Sequence, residues 1–196
     1  MAVAAATKIV AKQGLKKLST RLIAARMGYS AGTLYQLFDN LDDIILHVNA
    51  RTLEGLSETC RDVDFAAGPE ASLYELARRY IDYTGRNPNL WAAVFEHSLP
   101  RGRTAPKWYA EKSGVLLEFG ERAVAPLFGS DEDAARRHEA NVLWAGLYGI
   151  GSLATTGKLP ASEEPQLMAL SLIRNYLAGL RERSMPISAA GAPKLG

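Results

Sequence analysis

The sequence holds a single cysteine, Cys60, among 196 residues, so no disulfide can close within the chain. A lone cysteine reads as a small buried or half-buried residue and fits a reducing cytoplasm. No apolar run reaches the ~18 residues of a membrane helix, and no membrane partner is expected. The first residues are apolar but carry Lys8 and Lys12 at helical spacing, without a basic head and an unbroken apolar stretch. They do not read as a signal peptide. Runs of alternating β-branched residues are missing, as are Asn-Gly and Asp-Gly hairpin turns, which argues against a sheet. There is no phosphate-binding glycine loop, no GxSxG elbow and no HExxH pair, so nothing points to an enzyme. His47, His97 and His138 lie far apart with no Cys/His cluster, so neither metal nor cofactor is expected.

One further absence is informative. Residues 1–38 contain no Asp or Glu but six basic residues: Lys8, Lys12, Lys16, Lys17, Arg21 and Arg26. The rest of the chain holds 17 basic against 21 acidic residues. A basic head on a mildly acidic body offers one end to a polyanion, although a solvated basic surface would look the same by charge alone.

What is present is helical periodicity almost throughout. About nine helices are expected, near 3–13, 20–28, 31–38, 41–60, 70–86, 88–98, 106–126, 131–156 and 164–182. Gly14 and Gly28 stop the first two. Ser19 and Asn40 start the second and fourth, and Asp42 and Asp43 fall where the helix dipole favours negative charge. Breaks fall at Phe65–Pro69, Asn87-Pro88, Leu99–Gly102, Pro126–Ser130 and Gly157–Pro160. The fold class is therefore all-α. Residues 1–48 are expected to form a small head, 49–183 a larger helical body, and 184–196 a tail with little to bury.

The segment Leu22–Phe38 carries the sharpest signal. Two short helices that cross closely need a small residue between them, supplied by Ala24, and a turn residue that tolerates positive φ, supplied by Gly28. Ile23, Met27, Leu34, Leu37 and Phe38 are expected to plug the angle. Thr33 and Gln36 then face outward. Such a helix presents small or hydrogen-bonding groups, here Ser30, Ala31, Gly32 and Thr33, to a major groove. Gln36 can read a base edge, Thr33 a base or a thymine methyl, and the Tyr35 hydroxyl a phosphate. Arg21 points at the same groove edge.

On these residues the chain resembles TetR-type repressors. The resemblance spans Ile9 to Val48 and rests on Gly14-Leu15, Leu18–Arg21, Ile23-Ala24, Gly28–Ser30, Gly32–Tyr35, Phe38, and Asn40 with its acidic pair. It implies that Thr20, Arg21, Ala31, Thr33, Tyr35 and Gln36 occupy DNA-contacting positions. It also implies a bacterial, cytoplasmic homodimer on a palindromic double-stranded operator, usually as a repressor, released by a small molecule. Two departures stand out. Leu41 replaces a lysine that touches phosphate in the family, and no basic arm precedes the first helix. Either the native chain begins further upstream, or phosphate anchoring rests more on Lys16 and Lys17.

In the body, Asn141–Leu159 is rich in small residues. With the amphipathic last helix it is expected to form a helical pair that doubles into a four-helix dimer interface through Gly146, Gly149, Leu153, Leu170, Ile173 and Leu177. Core within one chain is the competing reading. Trp144 followed by Tyr148-Gly149 resembles a subgroup with a Trp…His-Gly pattern, with tyrosine in place of the histidine. The resemblance implies a pocket for an apolar or aromatic effector, for which Trp91, Phe95, Trp108, Trp144 and Tyr148 are the expected lining and His97 a polar handle. Two alternatives stay open: a sequence-blind DNA binder, and a ligand-binding dimer with a degenerate head.

Overall fold

Local chemistry sets the helix boundaries. In a computed structural model, which describes residues 1–184, the Ser19 hydroxyl accepts from Leu22 N at 3.2 Å and the Asn40 amide oxygen from Asp43 N at 3.0 Å. Each satisfies one of the orphan N–H groups that open a helix. The described residues form nine α-helices and no strand: α1 (Ala2–Gln13), α2 (Thr20–Met27), α3 (Ala31–Tyr35), α4 (Leu41–Cys60), α5 (Pro69–Arg86), α6 (Pro88–Glu96), α7 (Lys107–Val124), α8 (Asp133–Thr155) and α9 (Pro165–Ser184). Short 3₁₀ turns sit at Leu15–Lys17, Phe65–Ala67 and Ala125–Leu127. The expected tail, beyond Ser184, lies outside the described residues. No described helix is long and apolar enough to cross a membrane.

The chain divides into two compact units. The first joins Met1–Asp62 to Arg79–Glu118. Its core gathers Ala6, Ile9 and Val10 of α1, Ile23 and Ala24 of α2, Leu34 of α3, and Ile44 and Val48 of α4. It also takes in Leu90 and Ala93 of α6, far along the sequence. The amide nitrogen of the buried Asn49 donates to the Ala93 carbonyl at 3.2 Å. The second unit joins residues 63–78 to the chain from Phe119 onward. Within it α8 packs on α9, and the Tyr176 hydroxyl donates to the Glu139 carboxylate. α5 and α7 each run from one unit into the other.

Close packing in the first unit has a measurable consequence at Gly55 of α4. A Cβ there would meet the Tyr83 hydroxyl oxygen at 2.5 Å, while that hydroxyl donates to the Thr52 carbonyl at 2.9 Å. Alanine in an open helix position gains about 0.5–1 kcal/mol over glycine. Gly55→Ala is expected to reverse that sign and lose about 1 kcal/mol through overpacking. Urea denaturation reads the result.

Candidate nucleic-acid interface

The reading head is built from a turn. Gly28 adopts φ 74°, which a residue without Cβ takes at no steric cost. Its N–H reaches Ala25 O at 3.3 Å and that of Tyr29 reaches Ala24 O at 3.0 Å, the paired bonds of a Schellman motif. The turn delivers the chain to Ser30, which opens α3. Leu34, 1% exposed, anchors this five-residue helix in the core beside Ile23 and Ala24.

The expected contact residues differ in exposure. Lys16, Lys17, Arg21, Ser30, Gly32, Tyr35 and Gln36 are exposed; Thr20, Ala31 and Thr33 are half-buried. The hydroxyls of Ser30 and Thr33 lie 3.2 Å apart, and those of Thr20 and Tyr35 3.4 Å apart. The second pair ties the start of α2 to the end of α3. No ion pair among the described residues engages Lys16, Lys17 or Arg21. Exposed unpaired cations suit phosphate contacts, and exposed hydroxyls and an amide suit base edges.

Residues 2–48 match the family described as "Bacterial regulatory proteins, tetR family", and residues 73–176 match "Tetracyclin repressor-like, C-terminal domain". The chain belongs to the TetR family. It is a DNA-binding transcriptional regulator, and its fold and family are those of regulators. An HTH-type transcriptional regulator of Mycobacterium tuberculosis is 22% identical over 173 residues, covering 88% of this chain and 77% of the relative. The BioQ protein in a crystal with its double-stranded DNA operator is 22% identical, with a TM-score of 0.66 over 92% of this chain and 96% of BioQ. The TetR-family repressor FadR of Thermus thermophilus, in complex with lauroyl-CoA, is 18% identical, with a TM-score of 0.62 over 98% and 97% of the two chains.

Several expectations about this TetR-family chain need correction. Leu37 does not plug the helix angle: it lies in the turn that follows the end of α3 at Tyr35 and is 66% exposed. Phe38 does pack on the core, edge-on to His47 at 5.8 Å. Leu41 also packs there, which accounts for an apolar residue at this position. His97 is not a free polar handle. Its Nε2 lies 2.9 Å from Asp42 Oδ1, and its side chain is 8% exposed. In the second unit, Ile173 and Leu177 are completely buried by their own chain and offer no surface to a partner. Gly146 serves packing within the chain too: a Cβ there would meet Leu172 of α9 at 2.7 Å. Leu170 is half-buried, Leu153 is exposed, and a Cβ on Gly149 would meet nothing.

The aromatic set divides between the units. Trp91 and Phe95 stand edge to face at 5.2 Å, and Trp108 stacks on His47 at 4.5 Å, all in the first unit. Trp144 and Tyr148 lie on α8 in the second. Burial pushes the Tyr109 phenol above its ordinary pKa, opposed by a hydrogen bond with the Asn49 side chain. Sequence reasoning missed Asn89 of α6, whose amide donates to Ala11 O at 2.9 Å, because a pairing across 78 residues leaves no periodic signal.

Proposed function

We propose that this TetR-family chain acts as a cytoplasmic repressor, binding a palindromic operator as a homodimer and leaving it when a small apolar or aromatic effector binds. The observation that carries the reading is the exposure of Ser30, Gly32, Tyr35 and Gln36 together with exposed, unpaired Lys16, Lys17 and Arg21. One such head spans few base pairs, and two on a two-fold axis read a palindrome. Gly149 and Leu153 of α8 and Leu170 of α9 remain the proposed contribution to the dimer interface. The likeness in fold to operator-bound BioQ and lauroyl-CoA-bound FadR supports both halves of the cycle. For the effector, Trp91, Phe95 and Trp108 of the first unit remain one candidate lining, and Trp144 and Tyr148 of the second a separate one. The chain's role is binding, not catalysis.

The test is a duplex recovered from a random-sequence pool by the full-length protein, titrated by fluorescence anisotropy at about 150 mM salt. Gln36→Ala is expected to relax preference at one base pair per half-site, by about 1–3 kcal/mol. Lys16→Ala is expected to weaken all sequences alike. Sequence-blind binding by the parent chain would favour an architectural protein; an unchanged preference in Gln36→Ala would refute the groove assignment.

A further inference from the structure

The loop between α6 and α7 carries two arginines that the regulator reading leaves without a task. Pro100, Arg101, Gly102 and Arg103 form a tight turn. The Arg103 N–H donates to Pro100 O at 3.0 Å, and Gly102 sits at φ 83°. Positive φ at the third position of such a turn requires glycine. The turn displays Arg101 and Arg103, both exposed, and neither makes an ion pair among the described residues.

The position of this turn is what matters. Arg103 and Leu99 form one wall of a cleft of about 170 Å³; Asp39, Asn40, Asp42 and Asp43 form the other. The His97–Asp42 contact fastens the loop's first residue to the same place. The residues opposite the loop are those by which the chain leaves the reading helix. α3 has five residues and is about 7.5 Å long, inside a groove about 12 Å wide. The chain beyond it must therefore reach a groove wall, where the phosphates are. That exit brings Asp39, Asp42 and Asp43, an unsuitable set of charges to bring towards a polyanion. Arg103, a cation without an ion-pair partner, lines the same cleft, with Arg101 beside it on the turn.

The geometry points to Arg101 and Arg103 as a second phosphate clamp, which grips the operator backbone at the wall that residues 36–43 approach. This rests on the DNA-binding reading of α3. Guanidinium groups suit the task, since they stay charged and bind phosphate through two parallel N–H groups. A turn closed by its own hydrogen bond loses little further freedom on binding.

The test uses the full-length chain and the duplex recovered from the random pool. Arg101→Gln with Arg103→Gln is expected to weaken binding at least tenfold at about 150 mM salt, with base preferences unchanged. The slope of log affinity against log salt is expected to become shallower by about 0.9 for each phosphate that the variant no longer grips. Arg101→Lys with Arg103→Lys is expected to restore most of the slope. A phosphate protected in the parent complex against ethylation interference should lose protection in the glutamine variant. An unchanged affinity and slope in that variant, beside a parent that binds selectively, would overturn the clamp and leave the regulator reading intact. A loss of affinity at constant slope and footprint would assign the arginines to neutralising the aspartates and overturn it as well. A parent without sequence preference would overturn both readings. Thermal melting confirms that the variants fold, as expected for exposed side chains.

Discussion

Leu34→Ala is expected to abolish operator binding while the chain stays a dimer near twice 21.3 kDa by light scattering. The reason is the size of α3. Five residues cannot sustain a helix alone, because nucleation fixes several dihedrals before propagation contributes. Its only fully buried side chain is Leu34, at 1% exposure. Removing three carbons from a tight core costs about 2–5 kcal/mol, cavity included. The surrounding contacts offer little compensation: Ala31 is half-buried, and the Ser30–Thr33 and Thr20–Tyr35 contacts are exposed hydroxyl pairs in competition with water. Hydrogen exchange should show α3 amides unprotected, with the buried part of α9 unchanged. A variant that keeps parent affinity would mean that the reading face does not depend on α3 being formed.

How much of this is legible in the sequence depends on whether the signal is local. Caps are local. Ser19 and Asn40 accept from the residue three positions on, and Gly28 closes its own turn, so the helix-turn-helix can be read from adjacent residues. The end of α3 is harder. Its apolar spacing continues through Leu37, which lies in the turn beyond the helix and is exposed, and spacing alone does not say which apolar residue past the helix end finds the core. Amphipathic faces carry a different ambiguity. The pattern of α9 says that Ile173 and Leu177 are buried, not whether their own chain or a partner buries them. Least legible is the membership of α6 in the first unit. Leu90 and Ala93 read as ordinary core residues, and nothing in their spacing says whose core.

That membership gives the second large effect. α6 is fastened to the head at both ends: Asn89 to Ala11 at its start, and His97 to Asp42 at its end. The two fastenings are unequal. The Asn89 contact is exposed and exchanges readily with water, whereas the His97 ring is 8% exposed. A carboxylate only accepts hydrogen bonds, so His97 Nε2 donates to Asp42. Hydrogen bonds to a charged group contribute about 1.5–3 kcal/mol, and truncating one partner leaves the other desolvated without its bond. His97→Ala is therefore expected to cost about that much in urea unfolding, and Asn89→Ala distinctly less. Asp42→Asn also loses about 0.3–1 kcal/mol of dipole interaction at the start of α4, which His97 does not share. A double-mutant cycle separates the two terms: the His97→Ala, Asp42→Asn chain should cost little more than the Asp42 change alone. In operator binding the same cycle should show coupling, since Asp42 lies three residues beyond Asp39 on the path out of the reading helix. Strict additivity in both measurements would mean that α6 is held to the head by Leu90, Ala93 and the Asn49 and Asn89 hydrogen bonds without the histidine, and that the histidine merely fills space.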